Sequence, residues 1–369
     1  MYKDQKDVTL SGSDALMIMT SLTGGMRKLT LWHSGFHITL RSLPLDFLNR
    51  FYREINHDDY EFGREFGMFY YLYADLVIAK HVIEHLLPYA ICGSSYTHWK
   101  DTKKLMTVIS FQDFPVILWA LGVMMHPRGA NVNFICAEPD CGYVHSEFVD
   151  LSKLRLINTS MVNEAMIQHF KSHEVMTDAL LEEYRKNCHL EDKPITLEYG
   201  EGLEKQTWSI MPHQPSIAEY TEAGNAYMAA LRSQTSITDE DAIQYYTLYN
   251  GNKVFKPWIS KLTLTVNDQD GGTKSFTVEN LPTGENDEAI SSILDTFQQR
   301  APNFAQKMQD YILDTKLVHI CFYFPECPKC HREPSTGYHG YIPYDPLRAF
   351  FTLALMKLLQ GASTDQTQR

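Results

Sequence analysis

Four of the seven cysteines fall into two close pairs, Cys136 with Cys141 and Cys327 with Cys330, and 185 residues lie between the pairs. Four residues separate the members of the first pair and two those of the second. At such spacing both sulfurs of a pair sit on one tight turn and can face a single ion, so two turns complete a tetrahedral set of thiolates. If one ion joins them, the chain between is an insertion whose ends return to one place, which constrains the topology more than any other feature. Cys92, Cys188 and Cys321 stand outside the pairs, and the odd total favours reduced thiols plus a metal over a disulfide framework. His145 and His331 are near enough in sequence to replace a thiolate, but four sulfurs already close the site and leave no position for water. The expected cofactor is therefore one structural Zn2+.

The 369 residues exceed the usual size of one domain and allow a sizeable core. Charged residues make up an ordinary 21%, whereas 12% are aromatic, with tyrosine at 21 copies. The net charge of −12 and the lack of a long basic run disfavour nucleic acid as a partner. Met1 to Leu10 is polar, so no secretory signal is expected, and no apolar stretch nears the ~18 residues that span a bilayer.

Periodicity predicts the elements in order. Lys28–His33 and Phe36–Arg41 alternate around a two-residue Ser34-Gly35 turn. Helices follow from Pro44 to Asn56 and from Tyr60 to Leu87, the latter ended by Pro88, then a polar loop from Cys92 to Asp101 and a helical segment to Met125 whose final portion starts at Pro115. Val132–Cys136 and Tyr143–Val149 form a hairpin with the first cysteine pair at its tip. Helical spacing returns over Met161–Asn187 and Ile217–Ser233, with Pro194–Pro215 as an exposed connection. A short helix opens at Thr238-Asp-Glu-Asp241, and Ile259–Val266 pairs with Lys274–Glu279. Helices cover Asp287–Arg300 and Asn303–Asp314, and the strand Lys316–Phe324 leads into Cys327. An apolar helix opened by Asp345-Pro346 ends near Gln360.

The fold class this predicts is α+β, mainly helical, with β-hairpins and a split zinc-ribbon-like module. The expected organisation is an N-terminal hairpin and helical region (1–130), the split module (131–155 with 316–345), an inserted helical and hairpin region (156–315), and a C-terminal helix with a polar tail (346–369).

Two other motifs suggest chemistry. His81-Val-Ile-Glu84-His85 matches the H-x-x-E-H pattern of a zinc peptidase, with Glu84 as general base, although no third ligand can be named. Packed or surface histidines are the simpler reading. Lys329, His331 and Arg332 flank the second cysteine pair and offer a nucleic-acid contact of zinc-ribbon type. Gly24-Gly25 precedes Met26-Arg27-Lys28 but lacks the Gly-Lys-Ser/Thr of a phosphate loop, and reads as a turn before the first strand. No Gly-x-Ser-x-Gly, kinase set or base-paired cysteine is present, so a non-enzymatic role is expected. Tyr60 to Tyr73 carries more aromatic residues than one core stripe needs, which suits an interface.

The stretch Phe114-Pro-Val-Ile-Leu-Trp-Ala-Leu, then Val132-Asn-Phe-Ile-Cys136-Ala-Glu-Pro-Asp-Cys141-Gly142, then Val149-Asp-Leu-Ser-Lys-Leu154, resembles baseplate hub and tail assembly proteins of large contractile-tailed bacteriophages. The similarity covers the middle third of the chain, and the wider Cys136 to Cys141 spacing departs from that group's pattern. The resemblance implies a structural or assembly role in a virion tail or baseplate put together in the host cytoplasm, with other tail or baseplate proteins as partners in a multi-subunit assembly.

Overall fold

The computed structural model describes residues 25–66, 79–136, 138, 140–188, 193–199, 206–232, 252–267, 272–281, 284–301, 303–323, 326–332, 341–343 and 349–356. Across them the chain is an α+β protein in which helices pack on small antiparallel sheets.

Strands β1 (Met26–Leu31) and β2 (Phe36–Arg41) pair with Leu31 opposite Phe36. Leu29, Leu31, Phe36, Ile38 and Leu40 are buried while their neighbours are more exposed, the period-two pattern of a half-buried hairpin. The connection is not the expected two-residue turn. It spans Trp32 to Gly35 and is closed by the Gly35 N–H donating to the Leu31 carbonyl at 2.9 Å. The cause lies 80 residues on, in the fully buried Asp113. Its carboxylate accepts from the Ser34 N–H (2.8 Å), the Ser34 hydroxyl (2.6 Å) and the His33 N–H (3.3 Å), which draws the loop out of the ladder. Gly35 has φ +82°, and a Cβ there would lie 2.6 Å from the Tyr184 ring. Gly35→Ala is therefore expected to cost about 2–4 kcal/mol in urea unfolding, from left-handed strain plus overpacking. An unchanged midpoint would contradict this.

Part of the expected polar loop is a third strand, β3 (Ile91–Ser94), paired with β2. Helix α1 (Leu45–Phe66) runs through the break expected after Asn56, because Asn56-His57-Asp58-Asp59 contains neither proline nor glycine to stop the backbone ladder. The remainder of the expected second helix is outside the described residues between 67 and 78. Pro88 does not end a helix; it sits in the first turn of α2 (Leu87–Ala90). A π turn over Val82–Leu86 precedes it, with the Leu87 N–H donating to the Val82 carbonyl. Proline is tolerated in a first turn, and the wider π turn eases the carbonyl that its ring would crowd.

Helix α3 (Thr102–Val108) is capped by the Asp101 side chain, which accepts the Lys104 N–H. Helix α4 (Phe114–Met125), with Pro115 in its first turn, buries ten of its twelve residues. A helix apolar on every side belongs at the centre of a core, and α4 contacts β1 on one side and the later strand Val318–Tyr323 on another. Residues 349–356 form a helix that approaches α4 closely, since a Cβ on Gly122 would lie 3.0 Å from Leu353 Cδ1.

Strands β4 (Ala130–Ile135) and β5 (Val144–Val149) form a two-stranded ribbon, and β6 (Arg155–Ile157) follows. The single helix expected over Met161–Asn187 is two, α5 (Glu164–Ser172) and α6 (Asp178–Cys188). The break arises because Met176 donates to the Ser95 carbonyl (2.8 Å) and accepts from the Thr97 N–H (2.9 Å). The supposed exposed connection from Pro194 to Pro215 holds β7 (Ile195–Tyr199) and β8 (Gln206–Pro212), with Leu197 and Ile210 buried. Prolines at both ends and a largely polar alternation disguised them.

Helix α7 (Ile217–Arg232) opens with a capping box. The Ser216 N–H donates to Glu219 Oε2 at 2.7 Å and the Glu219 N–H to Ser216 Oγ at 3.2 Å. β9 (Ile259–Asn267), β10 (Thr273–Glu279), α8 (Asp287–Arg300), α9 (Phe304–Asp314) and β11 (Val318–Tyr323) lie where periodicity places them. The second hairpin belongs to a sheet ordered β10-β9-β8-β7, and β11 lies between β6 and β12 (Tyr341–Pro343). The helix expected after Thr238 and the cap at Asp345-Pro346 lie outside the described residues.

Aromatic and imidazole rings tie the first hairpin to α5 and α6. The Trp32 and Phe170 ring centroids are 5.1 Å apart, those of His37 and Phe170 5.2 Å, and those of His169 and Tyr184 4.4 Å. Burial lowers the pKa of both His37 and His169; Lys28 and His169 add to the effect at His37, and His173 at His169. A base with a depressed folded-state pKa stabilises the fold above its unfolded value near 6.5, and that contribution is lost as pH falls. Melting temperature should therefore drop from pH 7.5 to pH 6, with a shallower slope in His169→Gln. Equal slopes would refute the assignment.

Candidate metal centre

Each cysteine pair sits where strand geometry gives way to a tight turn. Cys136 follows β4 and extends the ladder by one bond, its N–H donating to the Tyr143 carbonyl at 2.9 Å. The Cys141 and Gly142 N–H groups both donate to the Glu138 carbonyl, at 3.0 and 3.4 Å. Gly142 adopts φ +52° with nothing within 4 Å of a Cβ position, so backbone conformation rather than space favours glycine there. In the second turn the His331 N–H donates to the Cys327 carbonyl (2.9 Å) and the Cys327 N–H to the Arg332 carbonyl (3.0 Å).

The two turns meet. The four Sγ atoms lie within 4.8 Å of one another, with Cys136 to Cys330 and Cys141 to Cys327 each at 3.8 Å. Cys327 is buried and the other three are half-buried. Polar contacts brace the junction from outside: Arg332 pairs with Glu138, and the Lys329 ammonium donates to the Cys141 carbonyl at 3.4 Å.

The 185-residue separation is closed chiefly by backbone pairing. Strand β6 begins six residues after β5 ends, and it pairs antiparallel with β11, Ile320 opposite Arg155 and Val318 opposite Ile157. The Cys321 N–H then donates to the Leu154 carbonyl at 3.0 Å. This ladder carries the C-terminal segment back towards the β4–β5 ribbon and delivers Cys327 to Cys136 and Cys141. The ribbon and the β6–β11–β12 sheet are separate ladders, so the two turns spring from different sheets. Strand β6 has three residues, too short to show alternation in sequence, and neither it nor the Arg332–Glu138 pair was anticipated.

The thiols of the cluster differ in acidity. The backbone N–H of Cys330 holds the Cys327 thiol down to about 6, with the Lys329 N–H and neighbouring thiols assisting. Cys136 receives the Glu138 N–H, yet burial and the other three thiols push it up to about 12. Cys330 is raised as well, although the Arg332 N–H acts against this. Packed sulfurs cannot all ionise beside one another without a compensating positive charge, and Arg332 supplies only part of it.

The other sequence candidates are placed differently. His331 is a backbone device, with φ 55°, a side chain 70% exposed and a Glu326 carboxylate at 3.7 Å. His145 lies on β5 opposite Phe134. Arg332 is paired with Glu138, and the Lys329 ammonium contacts the Cys141 carbonyl. In the H-x-x-E-H segment His81 is buried and His85 exposed, while Glu84 pairs with Lys80 at 2.6 Å. The π turn sets this segment off from a regular α-helical face. Among the described residues, the four cysteines alone bring three or more candidate metal-ligand atoms together. The Gly25 carbonyl accepts the Ser42 N–H at 2.7 Å, which continues the β1–β2 ladder by one pair, and Gly24 lies outside the described residues. Comparison with known proteins finds no family model, curated protein or solved structure that matches this chain.

Proposed function

We propose that Cys136, Cys141, Cys327 and Cys330 bind one zinc ion as thiolates and that the ion is structural. The observation that carries this reading is the sulfur spacing. A tetrahedral ion with bonds of about 2.3 Å needs sulfurs about 3.8 Å apart, and two of the pairs stand at 3.8 Å. Four thiolates fill the coordination sphere, so no position remains for a reacting water. Elemental analysis of purified protein should find about one zinc per chain, and the double variant Cys327→Ser, Cys330→Ser should hold almost none. Iron in place of zinc, or no metal, would overturn this.

We further propose that the protein works through contacts with other subunits rather than by catalysis. Ile135, Val144 and Phe148 are 70, 56 and 60% exposed, and the register puts them on one face of the β4–β5 ribbon beside the cysteines. Asn131, Asn133 and Ser146 share that face, so it carries no ionisable group. A ribbon of only two strands with an uncharged outer face that exposes three large apolar side chains is suited to completion by a protein partner. The resemblance to baseplate hub and tail assembly proteins supplies the setting, a bacteriophage tail or baseplate. A chain carrying Ile135→Asp and Phe148→Asp should keep its zinc but fail to enter assembled particles. Normal incorporation would contradict the reading.

A further inference from the structure

We propose that Arg27 and Arg155, both placed over the Trp119 ring, form a binding site for a phosphate-class oxyanion, separate from the cysteine cluster. Arg27 lies near the start of β1, on the same face as the buried Leu29 and Leu31, and Arg155 is the first residue of β6. Their guanidinium carbons are 5.1 and 5.5 Å from the centroid of the same indole ring. The platform is fixed, because Trp119 is 3% exposed and its Nε1–H donates to the Leu151 carbonyl at 2.7 Å.

A guanidinium held over an aromatic ring keeps N–H groups that can still donate to a ligand. Among the described residues, neither arginine donates a hydrogen bond or pairs with a carboxylate. Burial lowers the pKa of Arg27, and the nearby Arg155 lowers it further, so the pair is a positive spot that nothing described neutralises. This occurs in a chain with 45 acidic against 33 basic residues, where carboxylates are the commoner neighbours. A desolvated guanidinium without a partner is costly, and an anion between the two forks relieves both the desolvation and the mutual repulsion. Two positive charges match a dianion, and two planar forks offer four paired N–H donors, more than the two oxygens of one carboxylate accept in bidentate fashion. A tetrahedral phosphate, free or as a monoester, offers both the charge and the additional oxygens.

Isothermal titration of the full-length, metal-loaded protein with inorganic phosphate, at ionic strength held constant with chloride, tests the site. Saturable binding is expected, weakened about tenfold or more in Arg155→Gln. That residue is exposed at a strand end, so the variant should fold, as checked by circular dichroism. Arg27→Lys keeps the charge but loses the fork, and should bind more weakly than the parent yet better than Arg27→Gln. A nucleoside monophosphate in a second arm separates the two sources: tighter binding than phosphate points to a phosphorylated molecule, and binding of phosphate alone points to the free ion. No binding above the chloride control, or full binding by both glutamine variants, would overturn the proposal.

Discussion

Stripping the proposed zinc with a strong chelator will open the β4–β5 ribbon and the segment after β11 to protease before any other part of the chain. The expectation follows from how the two ends are held. Pairing of β6 with β11 closes the long loop as far as Ile320 and Cys321, and the Leu154 carbonyl takes the last described backbone bond from β11 to the β6 side of the loop. Beyond that point the sulfurs, the Arg332–Glu138 pair and the Lys329 contact join the two turns. Exposed ion pairs are worth about 1 kcal/mol or less, so the proposed zinc would carry most of the junction. Structural zinc in small peptides contributes on the order of ten kcal/mol of apparent binding energy. Part of that is not needed here because backbone pairing already gathers the ends. A loss of about 3–5 kcal/mol is expected, comparable with removing a native cross-link. Limited proteolysis with mass spectrometry should place the first cuts within 130–149 and 324–335. First cuts elsewhere, with these segments intact, would contradict the account.

Replacing Asp113 with alanine should be the most damaging single change away from the cysteines, at about 3–5 kcal/mol in urea unfolding. The variant strands the N–H groups of His33 and Ser34 and the Ser34 hydroxyl in a buried site. The loss would spread, because Ser34 Oγ also accepts the Ser110 N–H at 2.9 Å. The same loop places His33, which accepts the Leu317 N–H on Nε2 (3.0 Å) and so keeps its proton on Nδ1 for Gln214 Oε1 (3.2 Å). One carboxylate thus sets a loop that links the first hairpin, the turn before α4, the segment before α7 and the approach to β11. Burial raises the Asp113 carboxyl to about 6 despite its donors. A raised carboxyl favours folding when protonated, so this residue's own contribution is fullest below about pH 4 and lost as pH rises through about 6. Removing Asp113 should accordingly change the slope of stability between those values; a parallel curve would count against the assignment.

Legibility in the sequence followed local determination. The cysteine turns, the strands on either side of the first pair and the central apolar helix were visible because spacing, alternation and Pro115 act within a few residues. The conformation of the first hairpin loop was not, since Ser34-Gly35 reads as a tight turn until Asp113 is brought beneath it. Strands β3 and β6 escaped for a related reason: four and three residues carry too little periodicity, and partners distant in sequence define them. The split of α5 from α6 is likewise imposed from outside, by the strand-like exchange between Met176 and the 95–97 segment. At the candidate site the pairing of the four cysteines that cluster is legible in the spacing, whereas the means of closing a 185-residue gap is not, because it depends on β6.

X-ray absorption at the zinc edge of the purified, unsupplemented protein tests the central claim most directly. The account predicts a single shell of four sulfur scatterers at about 2.3 Å and no nitrogen or oxygen neighbour. A shell containing imidazole or water, or a sample without stoichiometric zinc, would contradict it.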